Sequence, residues 1–215
     1  DSEQNATRIS DRIAATISAF DLEKTKTFNR KYHHEYWFLW KETALILNYS
    51  NNTWYTYTNM PFVSMLEVDQ RTFGFTQEGK IKEVSRSYRN DDGEEISAYA
   101  ATGAMDFDRD WQLKYSPVIF VAIKPENNAR ITVTAESNRR SDYPDKVVAA
   151  SFASFTNVDF NHWSFLTNRK PQVERLKLKV KKATFYRLIF KSDSASATAT
   201  VLETDVQLRY AGNVK

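Results

Sequence analysis

A dense block of aromatic residues near the start of the chain limits the folds open to it. Ten aromatic residues lie between positions 32 and 62. The run at residues 36–40 is apolar on both faces, which predicts a strand covered on both sides. Residues 43–49 and 54–58 have high β-propensity, and the Asn-rich segment between them has the composition of a turn. The block therefore predicts an antiparallel β-sheet.

Shorter patterns extend this prediction along the chain. A short N-terminal helix is expected because Ile9, Ile13, Ile17 and Phe20 recur at helical spacing. Short apolar or alternating segments, separated by turn residues, predict further strands at 63–68, 72–76, 80–85, 96–102, 103–107, 118–123, 130–136, 173–181, 184–190 and 198–210. This spacing is typical of a sandwich or jelly-roll-like domain. We expect an all-β protein with one short helix.

Length and composition narrow the class of protein. The 215 residues predict one large or two small domains. The polar stretch at 87–95 contains an Asp-Asp-Gly turn signal and places the expected domain boundary near residue 89, giving domains 1–89 and 90–215. The chain has no cysteine, which excludes disulfides, Cys-ligated metals and a Cys nucleophile. No apolar run reaches the length of a membrane-spanning helix, and the lack of an initial Met suggests a piece of a longer product.

Charge is distributed unevenly along the chain. Residues 169–191 hold nine basic residues and one acidic residue, a net charge of +8, which leaves −5 for the rest of a chain whose net charge is +3. Within this segment Lys177, Lys179 and Lys181 alternate with apolar residues, and Lys182 follows. One interpretation is a solvated face or a lysine-protected edge strand. The other is a basic strand that faces a polyanion or an acidic neighbouring subunit.

The aromatic block also admits two interpretations. Its candidate binding residues are Trp37, Trp40, Trp54, Tyr55 and Tyr57. They are expected to form either a sheet core or intersubunit contact, or a platform that binds sugars.

Neither a metal site nor a catalytic site is expected. Asp106, Asp108 and Asp110 have the spacing of early calcium-loop ligands, but the glycine and glutamate that complete such a loop are missing, which favours a solvated acidic turn. His33 and His34, if on a strand, would point to opposite faces, and His162 stands alone. No nucleophile-elbow or phosphate-binding loop motif occurs. A glycosidase needs only two carboxylates, and no pair stands out.

Two regions together resemble a known family. The first comprises residues 36–40, 45–49, Trp54 and the Phe-Gly-Phe to Gly-Lys-Ile segment at 73–81; the second comprises 182–190, 201–202 and the basic C-terminal end at 206–215. The first resembles the final blade of the β-propeller in tail proteins of short-tailed bacteriophages, and the second resembles the β-sandwich that follows it. The family is the tail nozzle, called the muzzle or stabilisation protein in crAss-like phages.

The resemblance carries several expectations. It implies a C-terminal fragment in which terminal propeller blades, residues 1–89, precede a sandwich, residues 90–215. It implies a structural virion protein of the distal tail conduit, assembled in the host cytoplasm, that retains and ejects DNA without catalysis or cofactor. The expected partners are copies of itself in a ring, with six-fold symmetry, the N-terminal remainder of the protein, other tail ring proteins and passing DNA. The alternatives are a carbohydrate-binding module that contacts host glycans and, third, a glycoside-cleaving enzyme.

Overall fold

The protein is almost entirely built from β-strands. A computed structural model describes residues 9–85, 87–88, 90–126, 128–150, 170–192, 194–197 and 199–213. This part of the chain contains nineteen strands and one short α-helix, so the all-β prediction and the predicted N-terminal helix are confirmed. The chain divides into two compact units, Asp1–Ser87 and Tyr88–Lys215. The boundary predicted near residue 89 falls on a position outside the described residues.

The first unit consists of a short helical segment and two antiparallel sheets. A 3-10 turn (Asp11–Ile13) leads into α1 (Ala14–Ser18), and a second 3-10 turn covers Lys31–His33. One sheet is a four-stranded meander, in the order β1 (Lys26–Arg30), β2 (Glu35–Trp40), β3 (Thr43–Asn48) and β4 (Thr53–Tyr57). The other is a three-stranded meander of β5 (Phe62–Val68), β6 (Arg71–Thr76) and β7 (Ile81–Val84).

The four-stranded sheet is covered on both faces, as its aromatic pattern predicts. Trp37, Leu39 and Ile46 are buried on one face, where they form a core with Phe62 at the start of β5. On the opposite face, Phe20 from the end of the helical segment packs on Trp40, with ring centroids 5.4 Å apart. Because both faces of the sheet are apolar and covered, the sequence of β2 does not alternate between polar and apolar residues.

A buried polar network joins the two sheets of this unit. Arg30 and Glu35 are 3% and 1% exposed, and Arg30 Nη1 lies 3.2 Å from Glu35 Oε2. Arg30 Nε also donates to Thr72 Oγ1 on β6 (2.7 Å), and Arg30 Nη2 donates to the carbonyl oxygen of Val84 (3.2 Å). Glu35 in turn accepts hydrogen bonds from Trp37 Nε1 and Tyr55 Oη. A buried charge needs such partners to offset its loss of hydration.

The second unit contains three larger sheets and a small hairpin. The strands are β8 (Asn90–Asp91), β9 (Glu94–Glu95), β10 (Ala98–Ala101), β11 (Gln112–Ser116), β12 (Ile119–Ile123), β13 (Ala129–Ser137), β14 (Lys146–Ala150), β15 (Gln172–Leu176), β16 (Val180–Ala183), β17 (Tyr186–Ser192), β18 (Val201–Val206) and β19 (Arg209–Asn213). Their pairing orders are β10-β17-β13-β14, β16-β11-β19 and β15-β12-β18, and β8 pairs with β9 alone.

The last two sheets are consecutive stretches of the same three chain segments. Pro117 lies between β11 and β12, where it has no N–H to donate to a neighbouring strand. The partner segments are interrupted opposite it, at 177–179 and at 207–208. Lys179 in the first interruption has a left-handed backbone, with φ of 55°. The strand predicted at 173–181 therefore exists as two pieces, β15 and β16.

A single apolar core lies within this unit. Ile119, Val121 and Ile123 point into it from β12, and Ile131 and Val133 point into it from β13. Leu176, Leu178 and Val180 join the core from the segment that carries the lysines. The alternation that predicted one buried face on these strands is confirmed.

One predicted strand is wrong and five strands were not predicted. Residues 103–107 form a loop in which Met105 makes only an isolated bridge to Tyr186. The chain turns away there because Phe107 and Asp108 both have positive φ, at 54° and 57°. The unpredicted strands are β1, β11 and β14, together with the two-residue strands β8 and β9 that flank the Asp-Asp-Gly turn.

Candidate functional site

The candidate basic strand presents its lysines to solvent. Lys177, Lys179 and Lys181 are exposed, while the intervening Leu178 is 2% exposed. Lys182 is also exposed, with a left-handed φ of 53°. The buried leucine anchors the backbone, and the interruption opposite Pro117 takes Lys177–Lys179 out of the strand ladder.

These lysines line a cleft together with residues from another part of the unit. The cleft has a volume of about 770 Å³. It is lined by the lysines at 177, 179 and 181 with Leu178, and by the β13–β14 connection through Arg139, Arg140, Asp142, Tyr143, Pro144 and Lys146. Lys182 is not part of the lining. Six cationic side chains and one carboxylate therefore surround the same space, which we call the basic cleft.

The connection between β13 and β14 is held in place by its own hydrogen bonds. The backbone N–H of Ser137 donates to the carbonyl oxygen of Arg140 (2.7 Å), closing a tight turn. Thr134 Oγ1 donates to the carbonyl oxygen of Tyr143 (2.8 Å), and Tyr143 is 8% exposed. The two arginines of the cleft thus sit on an ordered turn that is anchored to the core.

The charges in the basic cleft are mostly uncompensated. Arg140 Nε donates to Asp142 Oδ1 (2.7 Å), and its guanidinium lies 5.0 Å from the ring centroid of Tyr143. This hydrogen bond lowers the pKa of the Asp142 carboxyl and raises the pKa of Arg140. Within the described residues, the other five cations form no ion pair; they are Arg139, Lys146, Lys177, Lys179 and Lys181. The cleft is suited to an anion with several charges.

The sequence did not predict the half of the cleft that is formed by residues 139–146. Arg139, Arg140 and Lys146 lie in a segment that the sequence marks only as a polar loop. The Arg-Arg pair is the one local signal, and it lies 37 or more residues from the lysines. Only the pairing of β13 with β14, and the packing of β13 against β16 and of β14 against β15, brings the two segments together.

The aromatic candidates do not form one platform. Trp37 is completely buried, with Tyr57 beside it at 5.8 Å between ring centroids and Tyr55 bound to Glu35. Trp40 and Trp54 lie on the opposite face of the sheet. Trp40 packs against Phe20, and Trp54 Nε1 donates to the carbonyl oxygen of Ile9 (3.2 Å). The structure thus divides the five residues between two packed faces.

A lysine ammonium lies beside the acidic turn at 106–110. Lys114 is 0% exposed, and its Nζ donates to the carbonyl oxygens of Arg109, Gln112 (3.1 Å) and Thr184 (2.6 Å). Burial lowers the pKa of this ammonium, and the carboxylates of Asp106 and Asp110 oppose that shift. The Lys114 ammonium is therefore a positive charge that lies beside the carboxylates of this turn.

The remaining candidates from the sequence are possible metal ligands, the histidines and membrane-spanning helices. Among the residues that the structure describes, no group of three or more His, Asp and Glu side chains is arranged to hold a metal ion. His33 lies in a 3-10 turn and His34 follows it with φ of 56°, so these two are not on a strand as supposed. His162 lies outside the described residues. No helix in the described ranges has both the length and the apolar character needed to cross a membrane.

Comparison with known proteins gives no family for this chain. No protein-family model matches it, and no curated protein matches it. The likeness to phage tail nozzles therefore stays a prediction.

Proposed function

We propose that this chain is a structural, non-catalytic part of the tail of a short-tailed phage, in the nozzle or muzzle of the distal conduit. In this role it assembles with copies of itself into a ring, with six-fold symmetry expected. The ring contacts the remainder of the same protein and other tail ring proteins, and it retains and releases DNA. The chain is then a virion component that is assembled in the host cytoplasm.

The observation that carries this proposal is the pair of successive meanders in the first unit. A propeller blade is an antiparallel meander of four strands, and neighbouring blades follow each other in the chain. Strands β1–β4 form such a meander, β5–β7 form a second, and Trp37, Ile46 and Phe62 share a core between them. We assign these sheets to the end of a propeller.

The second unit supports the same assignment through its sheet arrangement. The sheet β10-β17-β13-β14 supplies Val133 and Leu188 to the core, and the β15-β12-β18 sheet supplies Val121 and Leu176. Two antiparallel sheets that enclose one apolar core are the defining feature of a β-sandwich. We assign this unit to the sandwich that follows the propeller in the nozzle family.

The carbohydrate-binding alternative has less support. A sugar platform needs several aromatic faces open to solvent on one surface, whereas these five aromatics are divided between the two faces of the sheet, and Tyr57 is the one of the five that is exposed. The alternative makes a distinct prediction, because Trp40→Ala would then remove glycan binding. A glycan array probed with the chain and this variant distinguishes the two functions.

Quantitative mass spectrometry of tailed particles from the source of this sequence tests the proposal. Peptides of this chain are expected in purified particles at a fixed ratio to the major capsid protein, and at six copies per particle for a six-fold ring. Cross-links between identical positions of two copies are also expected. Absence of the chain from particles, while it is present in the infected-cell lysate, would refute the structural role.

A further inference from the structure

We infer that the basic cleft of the second unit binds the phosphodiester backbone of DNA without reading its sequence. The inference deepens the function proposed above and rests on it for the choice of DNA as the ligand. Its physical basis is the convergence of six cations from two separate chain segments on one open cleft. Five of these cations lack an ion pair within the described residues.

The distribution of the cations favours a polymer over a small anion. A site for a single phosphate group directs several donors at one point, often with backbone N–H groups from a turn. Here the ammonium and guanidinium groups belong to five exposed side chains and the half-buried Lys146, around a space of about 770 Å³. Cations spread in this way can contact successive charges along a polyanion. Each contact releases counterions from the polyanion, and this release favours binding.

The residue types favour nucleic acid over an acidic protein segment. Protein interfaces are depleted in lysine and need an apolar centre. Three apolar residues line the cleft. Leu178 and Tyr143 are 2% and 8% exposed, and Pro144 alone among the three is exposed, so the lining offers a protein partner little apolar surface. With no exposed aromatic ring in the described lining, base stacking has no platform, and recognition is limited to the backbone.

Fluorescence anisotropy with a labelled 20-base-pair duplex of arbitrary sequence tests the inference. The 215-residue chain is compared with the variant Lys177→Gln/Lys179→Gln/Lys181→Gln at several salt concentrations. Each lost phosphate contact makes the slope of log K against log salt shallower by about 0.9, so three lost contacts change it by about 2.7. On the same basis, and with equal affinities at 1 M salt, the affinity at 0.1 M salt falls about five-hundredfold.

Two further variants control for charge and for folding. Lys124→Gln/Arg130→Gln/Arg175→Gln removes the same charge from exposed positions outside the cleft and is expected to keep most of the affinity. Lys177→Arg/Lys179→Arg/Lys181→Arg keeps the charge and is expected to bind as the parent chain does. Thermal melting of every variant shows that the fold is intact.

Each contrary outcome overturns the inference. It fails if the chain does not bind the duplex at low salt, or if the cleft variant and the matched control lose equal affinity. It also fails if the cleft variant binds DNA normally but no longer associates with other copies of the chain, because the cleft then contacts a neighbouring subunit. Particles that contain the chain, combined with absent DNA binding, would leave the proposed function standing without this inference.

Discussion

Replacing Glu35 with alanine is expected to destabilise the first unit by about 3–5 kcal/mol, the usual cost of removing one member of a buried ion pair. The carboxylate is 1% exposed and accepts hydrogen bonds from Arg30, Trp37 and Tyr55. Its removal leaves the Arg30 charge, 3% exposed, with the neutral oxygens of Thr72 and Val84 as its hydrogen-bond partners among the described residues. Those two bonds do not offset the desolvation of a guanidinium.

The same reasoning predicts a partial rescue. In the double variant Arg30→Met/Glu35→Leu no unpaired charge remains, and buried pairs replaced by apolar residues are often neutral in stability. The double variant is therefore expected to be more stable than Glu35→Ala, with the remaining loss arising from the Trp37 and Tyr55 donors.

Urea unfolding followed by tryptophan fluorescence measures this effect. Three of the five tryptophans, at 37, 40 and 54, lie in the first unit and report on it. With a denaturant slope of about 2 kcal/mol per M, the Glu35→Ala midpoint falls by about 1.5–2.5 M. The matched control is Glu83→Ala, which removes an ion pair to Arg71 in which the Arg71 side chain is 61% exposed and the Glu83 side chain 21% exposed. Because this pair is open to solvent, its loss is expected to cost about 1 kcal/mol, well below the cost of Glu35→Ala. Equal losses for Glu35→Ala and Glu83→Ala, or a double variant less stable than the single one, would refute the reasoning.

Three further outcomes are expected. Lys114→Met leaves three carbonyl oxygens without their donor and is expected to lower the unfolding free energy of the second unit by about 1–3 kcal/mol, measured in the same urea assay. Burial raises the pKa of Tyr186 to about 12 from 10.0, so its contribution to stability is complete below pH 10 and is lost as pH rises to 12, by about 2.7 kcal/mol in total. The neighbouring Ser116 hydroxyl opposes this shift, but neither hydroxyl makes a hydrogen bond of normal geometry within the described residues. Tyr186→Phe should therefore remove the alkaline loss without lowering stability at pH 7; a lower stability at pH 7 would show that Ser116 satisfies the hydroxyl. Gly74→Ala places a Cβ 2.5 Å from the Phe62 ring and is expected to cost about 1–3 kcal/mol, checked by thermal melting.

The strands that were predicted correctly share a local signal. β2, β3 and β13 have continuous or alternating apolar residues, and this pattern depends only on which faces are buried. β11 was missed because its central residue, Lys114, is a buried lysine that breaks the apolar alternation. Its burial depends on carbonyl oxygens as distant as that of Thr184, which no local window contains.

The candidate site was predicted in part for a similar reason. The lysines at 177, 179 and 181 alternate with residues that proved to be buried, so their predicted exposure is confirmed. Lys177 and Lys179, however, lie in the interruption between β15 and β16, which the strand period did not predict. The cleft they line depends on Arg139, Arg140 and Lys146, which reach it through the β13–β14 pairing. The sequence analysis also treated five aromatic residues as one candidate site, although they lie on two opposite faces of one sheet. Composition does not reveal on which side of a sheet a ring packs.

By itself, the sequence determined the class of structure, since hydrophobic period and β-propensity act over a few neighbouring residues. It also determined that the lysines at 177, 179 and 181 are exposed while the residues between them are buried. Only the tertiary structure decided that Pro117 divides three long segments into two stretches of sheet, and that the acidic turn at 106–110 lies beside the Lys114 ammonium. The basic cleft was also decided by the tertiary structure alone. Its charges come from segments that meet only when distant strands form hydrogen bonds and bury a common core.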